Sequence, residues 1–319
     1  MLQQFVIPPI IAEKCNFEGS FSSSNYAVLL YILTRENFNL FGQKTAMTFF
    51  DNFQSLRLIA AHRGFRAHHP ENTLSAFKAS VGRCHFIELD IQMSKDFVPV
   101  VFHDPSLERT SNAEEICKQL GLHSLHVSDW TLSQLKKLDI GSWFVDTDPF
   151  GTIIRNETSA EQLMKEMPQA VMTLEELLLH PALRKMPINI EIKDHRGKEQ
   201  NKKVTECVLG VILRTNSAGR VLISSFNHDY LVIAKNCAPT ISTAALQHRS
   251  HPKNLVDYLK SLGVAAYHPA DEIADAALIK KLRAAGLGIN VYTVNSAKRQ
   301  QELFAMGATA VFTDFPILP

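Results

Sequence analysis

Two short runs place acidic side chains on one face of an extended chain. In Ile87-Glu88-Leu89-Asp90-Ile91 carboxylates alternate with apolar residues, and Ile188-Asn189-Ile190-Glu191-Ile192-Lys193 repeats the arrangement. Strand side chains alternate faces, so Glu88 and Asp90 point the same way, about 6 to 7 Å apart, and Asn189, Glu191 and Lys193 likewise share a face. An ionised carboxylate buried without a partner costs several kcal/mol, so Glu88, Asp90 and Glu191 converging in a core would require a cation. Hard oxygen ligands suit Mg2+ or Ca2+ better than Zn2+, and one divalent cation is expected. The competing reading is a set of buried salt bridges, for instance Glu191 with Lys193 or Arg63. Repetition of the pattern on two strands, with histidines nearby, favours the metal.

Those histidines are His62 in Ala60-Ala61-His62-Arg63-Gly64 and His103 in Val100-Val101-Phe102-His103-Asp104. Each ends an apolar run. Imidazole is the natural acid or base near neutral pH, and a displacement at a phosphodiester needs one of each. Arg63 offers a planar fork matched to phosphate oxygens, Lys193 could neutralise a substrate anion, and Gly64 lets the backbone turn sharply. Arg63 also reads as a surface arginine, and Asn72 in Pro70-Glu71-Asn72-Thr73 as a turn and cap element.

The elements that must position these groups follow from periodicity. From Leu58 onward β-branched runs alternate with amphipathic stretches, the pattern of repeated βα units. Strands are expected at Leu58–His62, Phe86–Gln92, Pro187–Lys193, Val221–Ser225, Ile241–Leu246, Val264–His268, Gly288–Val294 and Ala308–Thr313. Helices are expected behind Thr73, Thr173, Pro252 and Asp275. Eight such strands over roughly 250 residues suit a TIM (β/α)8 barrel, whose reactive groups sit at the C-terminal ends of the strands. One segment, 104–170, interrupts the alternation after the second strand region and is expected to be an inserted subdomain or lid, with a short helix near Leu132 and Leu135. Residues 1–57 carry no usable motif and form an extension ahead of a 58–319 barrel. Met47 is a possible downstream start. The apolar run Tyr26–Leu33 is expected to cover the barrel where an eighth helix would otherwise lie.

Bulk composition is that of an ordinary globular protein: 319 residues, 45% hydrophobic and 20% charged. A formal charge of +1 argues against a polyanion-coating surface, so nucleic acid is not an expected partner. The five cysteines are scattered and never spaced as CxxC, which points to no disulfide framework and no zinc site. No secretory signal is evident at the start and the longest nearby apolar run is too short for a bilayer, so a cytoplasmic protein without stable membrane insertion is expected.

His62-Arg63-Gly64, Pro70-Glu71-Asn72-Thr73, Glu88-Leu89-Asp90, His103-Asp104 and Asn189-Ile190-Glu191-Ile192-Lys193, in this order and spacing, resemble the glycerophosphodiester phosphodiesterases. The likeness runs from about Leu58 to Pro316 and includes Thr173-Leu174-Glu175-Glu176, Ser225-Phe226 and Tyr292-Thr293-Val294-Asn295. It implies a TIM-barrel hydrolase with a small-molecule phosphodiester substrate, such as glycerophosphocholine or glycerophosphoethanolamine, cleaved to glycerol 3-phosphate and an alcohol. It further implies that His62 and His103 are the acid–base pair and that Glu88, Asp90 and Glu191 hold the cation. Arg63 and Lys193 would grip the phosphate, and Phe226 and Tyr292 would wall the pocket. Many members carry Trp where Tyr292 stands. Competing functions are a lysophospholipase D acting on lipid-bearing diesters and a noncatalytic phosphodiester-binding barrel, the latter disfavoured by the presence of an acid–base pair.

Overall fold

The computed structural model describes residues 48–318; the Tyr26–Leu33 run and Met47 lie outside the described residues. The strands are Leu58–Ala61 (β1), Phe86–Met93 (β2), Pro99–Val101 (β3), Ile188–Ile192 (β4), Val221–Ser225 (β5), Ser242–Gln247 (β6), Ala266–Pro269 (β7), Gly288–Val291 (β8) and Ala310–Thr313 (β9). Parallel pairing runs β1-β2-β4-β5-β6-β7-β8-β9 and closes as β9 meets β1, giving the eight-stranded barrel that the βα alternation predicts. β3 is outside that set and pairs antiparallel with the end of β2, Ile91 opposite Val101. The apolar run before His103 is therefore a flap on β2 rather than a barrel strand. Several ladders are shorter than expected: Val264 and Ala308 are buried but precede β7 and β9, and apolar loop residues of this kind read like strand.

Helices form where capping and periodicity agree. Thr73 Oγ1 accepts from Ala76 N at 3.3 Å to start Leu74–Ser80, and Asp275 Oδ1 accepts from Leu278 N at 2.7 Å to start Ala276–Ala284. Thr173 and Glu176 form a reciprocal capping box at Leu174–Leu179. The helix Leu255–Leu262 begins after Asn254 in a left-handed conformation rather than directly behind Pro252. No helix follows β9 among the described residues.

Alternation along the strands divides the apolar residues into two layers. Ile87, Leu89, Ile91, Ile188, Ile190 and Ile192 face outward into the shell of helices, while Leu58, Ala60, Phe86, Leu222, Ala244 and Ala266 fill the barrel interior. The turn Phe49–Asn52 closes the end of that interior. Phe49 is fully buried, edge-on to Phe86 at 5.3 Å, and its N–H donates to Ser242 Oγ at 3.1 Å. Asn52 Nδ2 donates to Gly219 O at 2.8 Å, so residues just ahead of β1 pack as part of the barrel. Residues 104–170 carry a separate apolar cluster around Leu107, Cys117, Trp130 and Leu135, joined to Val100 and Phe102 of the flap. Among the described residues no helix is long and apolar enough to cross a membrane.

Candidate active site

Because Ile87, Leu89 and Ile91 face the helices, Glu88 and Asp90 must face inward, and β4 in register with β2 brings Glu191 beside Asp90. Ligand oxygens of Glu88, Asp90 and Glu191 lie within 4.8 Å of one another, and all three residues are buried. Among the described residues, Arg63 and Lys193 are the cations paired directly with them. Lys193 Nζ lies 2.8 Å from Asp90 Oδ1 and pairs with Glu191, while Arg63 Nε lies 3.2 Å from Asp90 Oδ2. Three carboxylates against two cations leave one negative charge uncompensated in a buried place. Burial, then the Asp90 and Glu191 charges, push Glu88 well above the usual carboxylate range. Burial acts upward on Asp90 too, but Lys193 and Arg63 outweigh it and hold Asp90 well below that range. This oxygen-only donor set with residual negative charge fits a hard divalent cation.

The loop after β1 is built to serve the cluster. Arg63 (φ 54) and Gly64 (φ 84) are both left-handed, which turns the Arg63 N–H onto Glu88 Oε2 at 2.8 Å. Glycine is required at 64, since a Cβ there would lie 2.7 Å from Ala76 Cβ and 2.8 Å from its carbonyl carbon. Asn72 does more than turn the chain. Its Nδ2 donates to Asp90 Oδ2 at 2.8 Å and its Oδ1 accepts from Asp90 N at 3.3 Å, fixing that carboxylate from two directions.

His62 stands just past β1 with Nδ1 2.7 Å from Asp314 Oδ1. Burial lowers its pKa, opposed by the bond to Asp314. His103 Nδ1 is bonded to Asp104, whose own pKa is held down at about 2: burial raises it, but bonds from His103 and Arg109 prevail. Each imidazole is thus oriented by a carboxylate on Nδ1, which leaves Nε2 for chemistry.

His62, Glu88, Asn189, Glu191 and Tyr292 line one small cavity at the barrel mouth with Leu246, His268 and Phe312. Tyr292 Oη donates to Gln247 O at 2.9 Å. Phe226 is not part of that lining; it is 42% exposed and sits edge-on to Tyr292, ring centroids 6.1 Å apart. Arg63 and Lys193 lean on carboxylates, Arg63 also on Glu71 Oε1 at 2.9 Å. A much larger surface groove lined by Val81, Leu178, Pro181, Arg184 and Arg220 carries no comparable acidic cluster.

Sequence reasoning missed Asp314, Arg66, Glu71 and Arg109 as supports of the site. Asp314 was within reach of the rule that found His62, because it follows the last barrel strand directly. Arg109 was not, since nothing in the pattern of a long loop tells which arginine folds back.

Residues 62–318 match the model of the Glycerophosphoryl diester phosphodiesterase family. A glycerophosphodiester phosphodiesterase of Bacillus altitudinis is 31% identical over 264 residues, 81% of this chain and 94% of that protein. A phosphodiesterase of Oleispira antarctica, solved in complex with the product sn-glycerol-3-phosphate, is 25% identical with a TM-score of 0.65 over 85% of this chain and 96% of its own. The glycerophosphodiester phosphodiesterase of Agrobacterium tumefaciens shares the fold, with a TM-score of 0.59 at 22% identity, covering 81% of this chain and 96% of that one. A match that starts at the His62 rim and takes in all later barrel strands shows that the chain belongs to the glycerophosphoryl diester phosphodiesterase family and is a phosphoric diester hydrolase.

Proposed function

We propose that the protein hydrolyses glycerophosphodiesters such as glycerophosphocholine or glycerophosphoethanolamine to glycerol 3-phosphate and an alcohol, in a cytoplasmic setting. In this reading Glu88, Asp90 and Glu191 hold one divalent cation, Mg2+ or Ca2+, and His62 and His103 are the acid–base pair. The observation that carries it is the meeting of three buried carboxylates beside an imidazole that a buried aspartate orients. A cation there would supply Lewis-acid stabilisation of a phosphate oxygen. The product bound in the Oleispira antarctica relative supports glycerol 3-phosphate as the half that keeps the phosphate.

One imidazole takes the proton of the attacking group and the other protonates the departing alcohol; water gives glycerol 3-phosphate directly, whereas a glycerol hydroxyl gives a cyclic phosphate that water must then open. Asp314 and Asp104 keep each ring in the tautomer that presents Nε2. Arg63 and Lys193 supply positive charge for the phosphate, in competition with the carboxylates they now touch. Tyr292 and Phe226 form the wall that meets the head group. No feature of the described residues favours a lipid-bearing substrate or a noncatalytic barrel.

A coupled assay for glycerol 3-phosphate release tests this. His62→Ala and His103→Ala should each lower kcat by on the order of 10² to 10⁴ with folding intact. Near-normal turnover in both variants would overturn the assignment.

A further inference from the structure

The two imidazoles are linked by an unbroken chain of charged side chains. From His62 it passes to Asp314, then to Arg66, whose Nη1 donates to Asp314 Oδ1 at 3.2 Å and whose Nε donates to Glu71 Oε2 at 2.9 Å. Glu71 next takes both terminal nitrogens of Arg109, at 2.6 and 3.1 Å. Arg109 Nε donates to Asp104 Oδ2 at 2.5 Å, and Asp104 holds His103. Arg63 also donates to Glu71, at 2.9 Å, so one carboxylate accepts from three guanidinium groups.

Glu71 is 4% exposed and Asp314 also 4%, whereas the side chains of Arg66 and Arg109 are 23% and 43% exposed. Glu71 and Asp314 are the buried members, while the Asp104 side chain is 24% exposed. The members come from three separate places: the loop after β1, the segment after the flap that holds His103, Asp104 and Arg109, and the residue after β9. Such a closed set of charge-assisted, partly bidentate bonds has one low-energy arrangement, because shifting any guanidinium strips a partner from a buried carboxylate.

We infer that Glu71 is a positioning residue shared by both imidazoles, so that the inserted segment, through Arg109, sets the orientation of His62 as well as His103. This rests on the acid–base reading above for its catalytic consequence, but the geometric part stands apart from it. Glu71 touches neither imidazole; it acts through Arg66–Asp314 on one side and Arg109–Asp104 on the other.

The decisive experiment is NMR of the imidazole Nδ1–H protons in the full chain, assigned by loss in His62→Ala and His103→Ala. Arg109→Ala, on the His103 side, should shift the His62 signal, and Arg66→Ala, on the His62 side, should shift the His103 signal. Each variant moving only the imidazole on its own side would overturn the inference. Kinetics give the second readout: Glu71→Gln should lower kcat about tenfold or more with KM within about twofold, the mark of lost transition-state alignment. Where the histidine variants lose turnover, an unchanged kcat in a folded Glu71→Gln would also overturn it. Should that variant fail to fold, the arginine variants, altered at more exposed positions, still decide. If instead the cross-shifts appear while both histidine variants keep full turnover, it is the acid–base reading that falls, and the shared positioning remains.

Discussion

Replacing Glu88 by Gln tests the balance of charge at the barrel mouth. Ligand oxygens of Glu88, Asp90 and Glu191 fall within 4.8 Å, and two unit charges that far apart repel by about 3.5 kcal/mol at an effective dielectric of about 20. Two such terms act on Glu88, against the Arg63 N–H at 2.8 Å and the more distant pull of Arg63 and Lys193 charge. Glutamine keeps the shape and an acceptor for Arg63 N while removing the repulsion. In chelator, Glu88→Gln should therefore melt at or above the wild-type temperature. The sign with pH follows from the raised pKa of Glu88 in the folded state. Its contribution is present below the unfolded value of about 4.5 and is lost as pH rises through the folded one. The variant's advantage in chelator should then grow from pH 5 to 8. Adding Mg2+ or Ca2+ at about a hundred times Kd should stabilise the wild type by about 2.7 kcal/mol, and the variant far less. Scanning calorimetry across this pH range, with and without the cation, reads both effects. A lower melting temperature for Glu88→Gln in chelator at every pH, or a wild type indifferent to both cations, would refute the reasoning.

Phe49→Ala should cost about 3 to 5 kcal/mol by opening the sealed end of the barrel, lowering the melting temperature by on the order of 10 °C while leaving turnover in the cold unchanged. Gly64→Ala should lower kcat at least about tenfold and cost about 1 to 3 kcal/mol, because clearing Ala76 pulls Arg63 N off Glu88. Burial holds His268 down at about 3 and His195 at about 4, below the ordinary 6.5, so both are neutral when folded. Stability from such a group is present above the unfolded value and lost as pH falls through the folded one. The melting temperature should thus decline from pH 6.5 toward 4, and His268→Gln should flatten that slope.

The barrel and its acidic centre were legible because period-two alternation in Ile87–Ile91 and Ile188–Ile192 states at once which face meets the helices and which carries the carboxylates. The helices behind Thr73, Thr173 and Asp275 were legible through their caps. What escaped were features set by distant contact. The Pro99–Val101 flap looks like any apolar run until β2 offers it an edge. Phe49 has no periodic neighbours, and only the closed interior shows what it fills. Asn72 looked like a turn residue because its hold on Asp90 spans a separation that local pattern does not encode. Arg109 and Arg66 are two arginines among many until Glu71 gathers them.

The most direct test of the central claim is anomalous scattering from crystals soaked in Mn2+, which replaces Mg2+ or Ca2+ at oxygen sites. One strong peak is expected within coordination distance of Glu88, Asp90 and Glu191 together. No peak there under saturating Mn2+, with Arg63 and Lys193 still paired to the same carboxylates, would contradict it.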